Sequence, residues 1–201
     1  MDRAARPRRS QLRRTDGLNA PHAAPGTFLI ASPLLRDPNF CRTVILLCEH
    51  EDDEGSMGVV VNRPGDQTLQ DALSGVVPHP SQRLWIGGPV QRDAVLVLHR
   101  KPELPGARLI VDGMAMGGDD EALLELLRAS NPHRARVFSG YAGWGAGQLG
   151  AELEQRSWIT CTAQARFIFD TEATDVWSAV LRSLGPRYAY LTDLPADPSV
   201  N

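Results

Sequence analysis

Hydrophobic positions fall in short runs, broken by polar turns, through most of this chain. Phe28–Ser32, Thr43–Cys48 and Met57–Asn62 are strand-sized and apolar, the last two rich in β-branched residues, which suit a pleated, half-buried surface. Between the last two lies Glu49-His50-Glu51-Asp52-Asp53-Glu54-Gly55-Ser56. This spacing predicts an antiparallel hairpin with a long acidic loop. Asp37-Pro38-Asn39 is a turn, because Pro fixes φ and the flanking Asp and Asn bond their own backbone. Arg83–Ile86, Ala94–His99, Leu109–Asp112, Arg136–Gly140, Trp158–Cys161 and Arg166–Phe169 are read as further strands.

Helical period appears in fewer places. Thr68-Leu69-Gln70-Asp71 fits a capping pattern and opens a short helix to about Leu73. Asp119 caps a second, whose apolar face is Leu123, Leu124, Leu126 and Leu127, with Pro132 after its stop. A third starts near Ala146 and carries Leu149 and Leu153. The clearest places Ala173, Val176, Trp177, Val180, Leu181 and Leu184 at helical spacing, ended by Gly185 and Pro186. Strands first, with helices between and after them, predict an α+β domain with a mostly antiparallel sheet.

With 201 residues, 42% hydrophobic, the chain suits one domain with a sizeable core. The expected boundaries are a disordered basic tail at 1–25, a domain at 26–192 and a C-terminal tail at 193–201. Charge is uneven. Residues 1–20 carry six arginines against two aspartates, and the remainder carries 15 basic and 22 acidic residues. An acidic body repels polyphosphate, so nucleic acid is expected only at the tail. No apolar run reaches the ~18 residues of a membrane span. Cys41, Cys48 and Cys161 are odd in number and form no CxxC pair, which points to a reducing cytoplasm.

Candidate chemistry concentrates in two places. Gly140-Tyr141-Ala142-Gly143-Trp144-Gly145-Ala146-Gly147 lies between a strand and a helix. Glycines let backbone N–H groups approach a ligand, and a helix start adds partial positive charge, so this segment is read as an anion cradle. It matches neither a P-loop nor a dinucleotide fingerprint, and a tight turn with both aromatics packed inward accounts for the same residues. Arg42, Asn62 and Arg63, at the ends of the two front strands, are expected to join it. The candidate binding set is therefore Arg42, Asn62, Arg63, Gly140, Tyr141, Gly143, Trp144, Gly145 and Gly147. Glu49 and His50 offer an acid and a base, and Cys48 a nucleophile. Adjacent residues on a regular strand point to opposite faces, however. Cys48 and His50 have no second pair at zinc spacing, so no metal is assigned. The acidic loop lacks the ligand spacing of a calcium site. No GxSxG or HExxH motif is present, and no cofactor is expected.

The chain resembles the YqgE/AlgH family of bacterial proteins. The resemblance rests on Ser32–Phe40 with Arg42-Thr43-Val44, Cys48-Glu49-His50, Gly58–Pro64, Gly87-Gly88-Pro89-Val90, Gly140–Trp144 with Gly147-Gln148-Leu149, and Trp158. It covers residues 26–192, and the Asp197–Asn201 ending is similar to actinobacterial members. The family's Gly-Gln-Leu is usually followed by Glu; Gly150 stands here, with Glu152 as the next acidic position. The resemblance implies one α+β domain whose sheet bends into a barrel-like shape. It brings a transcriptional-regulator label, but no agreed activity, cofactor or catalytic set. The leading expectation is a non-catalytic cytoplasmic protein that binds a small anionic ligand or a protein partner. Alternatives are a hydrolase or transferase using Glu49, His50 or Cys48, and a regulator acting indirectly or through the basic tail.

Overall fold

The computed structural model describes residues 23–72, 82–111, 113–129 and 134–194. Both expected tails lie largely outside these residues, as do Leu73, Asp112 and Pro132. In chain order the elements are β1 (Thr27–Ala31), β2 (Val44–Glu51), β3 (Gly55–Val60), β4 (Pro64–Thr68), α1 (Leu69–Ala72), β5 (Arg83–Ile86), β6 (Val90–His99), β7 (Arg108–Val111), β8 (Met114–Met116), α2 (Asp120–Arg128), β9 (Ala135–Trp144), α3 (Gln148–Glu154), β10 (Trp158–Thr162), α4 (Ala165–Phe169), α5 (Val176–Ser183) and α6 (Pro186–Ala189). They form one α+β domain around a curled sheet. Its strand order is β10-β1-β2-β3-β9-β6-β8-β7, with β5 pairing both β4 and β9. Every pairing is antiparallel except β5 with β9.

The front strands read as unbroken apolar runs because both their faces are covered. In β2, Val44, Leu46 and Cys48 pack into a core with Phe28, Ile30, Trp177, Val180 and Leu181. Ile45 and Leu47 pack on the other side with Leu29, Trp144, Leu149, Leu153 and Trp158. Thus α5 closes one face and α3 the other. A smaller core under α2 joins Leu126 and Leu127 to Leu69, Val97 and Val137. Thr68 and Asp71 cap α1 reciprocally: the Thr68 hydroxyl donates to Asp71 Oδ2 (2.6 Å), and the Asp71 amide donates to Thr68 Oγ1 (3.2 Å).

Expected elements differ in several places. The acidic loop expected over 49–56 is mostly strand, since β2 runs to Glu51 and β3 starts at Gly55, and the strand expected from Ala94 starts at Val90. Residues 166–169 are helical (α4), not a strand. A run of four apolar or half-apolar residues carries no period that separates the two, and burial of Phe167, Ile168 and Phe169 together decides it. The strand expected to end at Gly140 continues to Trp144, so five of the eight residues of the expected glycine segment belong to β9. The reason for several glycines is backbone crossing. A Cβ on Gly87 would lie 2.1 Å from Gly140 O, and one on Gly88 would lie 2.1 Å from Tyr141 C. Gly140 itself has φ 68°, in the left-handed region.

Candidate functional site

The sequence-derived candidates separate into two groups at opposite ends of β3. At its C-terminal end, Asn62 bridges two strands. Its Oδ1 accepts from the Val44 amide (2.9 Å) and its Nδ2 donates to Arg42 O (3.0 Å). Arg63 donates to Pro38 O (2.9 Å). Arg42 stacks over Trp177, 5.0 Å from the ring centroid, and donates to Leu194 O. These three side chains hold a turn, a strand end and the C-terminal segment together. Tyr141, Gly143 and Trp144 lie at the other end of β3, where Met57 pairs with Gly143 and Ser56 with Trp144. Five residues of extended chain separate Met57 from Asn62, roughly 16 Å. The nine candidates therefore do not line one cavity.

The glycine segment is also committed. Residues 141–144 belong to β9 and pair with β3 or β6. The Gly145 amide donates to Gln148 Oε1 (3.1 Å) and the Gly147 amide to Asp52 O (3.2 Å). An anion at this bend would find those two donors occupied. Trp144 is buried, 6.0 Å from Trp158 in an edge-to-face contact. Glu152 accepts from both indoles, at 3.0 Å from Trp144 and 2.7 Å from Trp158. The carboxylate two positions beyond Gly150 is thus a half-buried clamp from α3 onto the two indoles.

What the fold does assemble is an open cleft of about 620 Å³ between the β2–β3 hairpin, β6 and β9. Its apolar surface is Met57, Val90, Leu96 and Tyr141, and Gly143 leaves its floor low. Glu49, Glu51 and Glu54 rim it, with His50 and Ser56 beside them. Two irregularities shape it. The β2–β3 register breaks between Leu47 and Glu49, so strict alternation fails and both Glu49 and His50 reach the cleft. The β6–β9 register advances from Val90 to Val95 on one strand and only from Tyr141 to Ser139 on the other. The surplus residues arch outward, with Gln91 at φ 43°. Neither bulge has a sequence signal. Met57 and Leu96 read as ordinary strand positions, and Gln91 falls before the strand expected from Ala94, which instead starts at Val90, so none of the three was expected in the cleft.

The polar groups of the cleft have defined partners. Glu49 pairs with Arg108 (2.8 Å). His50 Nδ1 shares a hydrogen bond with the Ser56 hydroxyl at 2.7 Å, its direction set by the imidazole tautomer, and His50 Nε2 lies 3.3 Å from Asp52 Oδ1. Cys48 does not join them. It is fully buried in the core closed by α5, against which Met57, Leu96 and Tyr141 also pack, and burial pushes its thiol up to about 12, so it is no nucleophile. Among the described residues no group of three or more His, Cys, Asp or Glu is placed to hold a metal. No helix of theirs is long and apolar enough to cross a membrane.

The AlgH-like family model matches residues 28–189. A UPF0301 protein of Chlorobaculum tepidum is 42% identical over 180 residues, covering 88% of this chain and 95% of its own. A UPF0301 protein of Thermobifida fusca is 36% identical over 189 residues, covering 88% and 94%. The solution structure of the AlgH protein from Pseudomonas aeruginosa superposes with a TM-score of 0.67 at 33% identity, over 87% of this chain and 98% of that one. A crystal structure of a Corynebacterium diphtheriae protein gives a TM-score of 0.74 at 24% identity, over 87% and 94%, a likeness of fold.

Proposed function

The chain belongs to the AlgH-like family, as an actinobacterial-type member, and from that premise we propose that it is a non-catalytic binding protein whose cleft receives a positively charged group with an apolar body. One observation carries this reading: Glu51 and Glu54, together with Glu49 in its pair with Arg108, rim a cleft whose surface is Met57, Val90, Leu96 and Tyr141. Clustered carboxylates favour a cation and repel an anion, which replaces the anionic ligand expected from the glycines. An amine-bearing small molecule, or a basic side chain of a partner protein, meets both demands.

Gly143 supplies the test. A Cβ there would sit 3.3 Å from the Tyr141 ring edge and 3.7 Å from Val90 Cγ2. Gly143→Val therefore fills the cleft floor at an exposed strand position, where the Tyr141 ring has to shift by a few tenths of an ångström to admit it. Phenethylamine should raise the melting temperature of the wild type and not of Gly143→Val, while 3-phenylpropionate should raise neither. Stabilisation by the carboxylate but not the amine would reverse the electrostatic assignment.

A second reading has its own observation, the Ser56–His50 hydrogen bond with Asp52 3.3 Å from the other ring nitrogen. It has the order of a nucleophile, a base and an orienting carboxylate. Asp52 is 95% exposed, so its hold on His50 is screened. A fluorophosphonate probe should label Ser56, and lose that label in His50→Ala, if the group is catalytic. An unlabelled wild type leaves binding as the cleft's role.

A further inference from the structure

At its start β9 borders a second cavity, of about 500 Å³, where Arg136 stacks on Trp85, donates to Val61 O and lies in the field of Asp170 and Glu172. That charge is answered from within the fold. The front cleft is the opposite case. On its hairpin Glu49 pairs with Arg108 and Asp52 lies beside His50. Among the described residues Glu51, Asp53 and Glu54 make no ion pair, and all three are exposed. The apolar surface of Met57, Val90, Leu96 and Tyr141 lies next to them.

The chain carries the complementary charge close by. Residues 1–20 hold Arg3, Arg6, Arg8, Arg9, Arg13 and Arg14 against Asp2 and Asp16. The described residues begin at Ala23, which packs on the core that holds Leu47 and Trp144, and Trp144 also lines the cleft. β1 runs antiparallel to β2 with Phe28 opposite Leu46, and the Gly26 amide donates to Leu47 O (2.8 Å). Residues upstream of β1 therefore lead towards the hairpin end of β2, the end that carries Glu49 and Glu51. Arg14 precedes Ala23 by nine residues, which span at most about 30 Å. From Leu47 to Glu51 is four residues of strand, roughly 13 Å, so reach does not limit the contact. An arginine suits both parts of the cleft, because its methylene stem lies on apolar surface while its guanidinium meets carboxylates. We propose that the arginine-rich segment 3–14 docks in cis on this cleft, against Glu51 and Glu54, so that an external cation has to displace it. The proposal rests on the reading of the cleft as a cation site. Exposed ion pairs are weak and screened by salt, so the segment competes with a ligand without shutting it out.

The test compares the native full chain with a full chain carrying Arg3→Gln, Arg6→Gln, Arg8→Gln, Arg9→Gln, Arg13→Gln and Arg14→Gln. Their ¹⁵N–¹H spectra should differ at Glu51, Glu54, Met57, Tyr141 and Gly143. The difference should fade with added salt and stay constant with protein concentration. Phenethylamine should bind the glutamine chain about threefold more tightly, because its cleft is no longer partly filled. With Glu51→Gln and Glu54→Gln in both chains, the arginine replacements should no longer alter the cleft spectrum. Identical cleft spectra in the native and glutamine chains overturn the proposal, and phenethylamine bound equally by both then leaves the cleft reading standing. Phenethylamine bound by neither chain brings down the cleft reading and this proposal with it. Differences confined to another acidic face, such as Asp119, Asp120 and Glu121, or growing with protein concentration, also overturn the cis contact.

Discussion

At the scale of single residues, the informative side chains are those whose partners lie far away in sequence. Glu152 accepts from the indoles of Trp144 and Trp158. Glu152→Ala leaves two donors beside a packed core and should cost roughly 2–3 kcal/mol in denaturant unfolding; an unchanged midpoint would mean that water replaces the carboxylate. Burial raises Cys48 from 9.0 to about 12 and Cys161 to about 11. Between those values and 9.0 the unfolded chain releases thiol protons that the folded chain keeps. Stability should therefore hold below pH 9 and fall as pH rises towards 11–12. Cys48→Ala should flatten part of that fall, as followed by chemical denaturation across the alkaline range. Residue chemistry was legible in the sequence only by type. Nothing in the spacing of Arg42, Asn62 and Arg63 says that each holds a carbonyl or an amide of its own chain.

At the scale of elements, the front hairpin, the Thr68–Asp71 cap and the periodic helix α5 were readable, because each is fixed by local rules. What local rules could not supply was tertiary choice. The apolar run at 166–169 became helical under burial, and the segment 140–144 became strand, with the backbone of Gly88 and Val90 passing over Gly140. The two kinds of glycine should respond oppositely to mutation. Gly88→Ala would drive a Cβ into the Tyr141 backbone at 2.1 Å, and should lose on the order of 3 kcal/mol or more. Gly150 lies inside α3, and a Cβ added there would meet nothing within 4 Å. Gly150→Ala should gain about 0.5–1 kcal/mol through helix propensity and a less free unfolded chain. Thermal unfolding of the pair checks both signs, and a destabilised Gly150→Ala would show that α3 needs the glycine for another reason.

At the scale of the whole molecule, a sheet buried on both faces at the front opens into two cavities at the two ends of β9. The fold class and the family were legible from the order of motifs, since strands, turns and glycines recur in a set sequence along the chain. The cavities were not, because their walls come from β2, β5, β6 and β9 and are shaped by register breaks. The electrostatic character of the front cleft likewise depends on which carboxylates the hairpin turns towards it. The most direct measurement is a ¹⁵N–¹H chemical-shift titration of the full chain with phenethylamine. The account predicts shifts concentrated at Glu49, His50, Met57, Tyr141 and Gly143, weakening as salt is added. Shifts confined to Arg42, Asn62 and Arg63, or a response to 3-phenylpropionate and not to the amine, would contradict it.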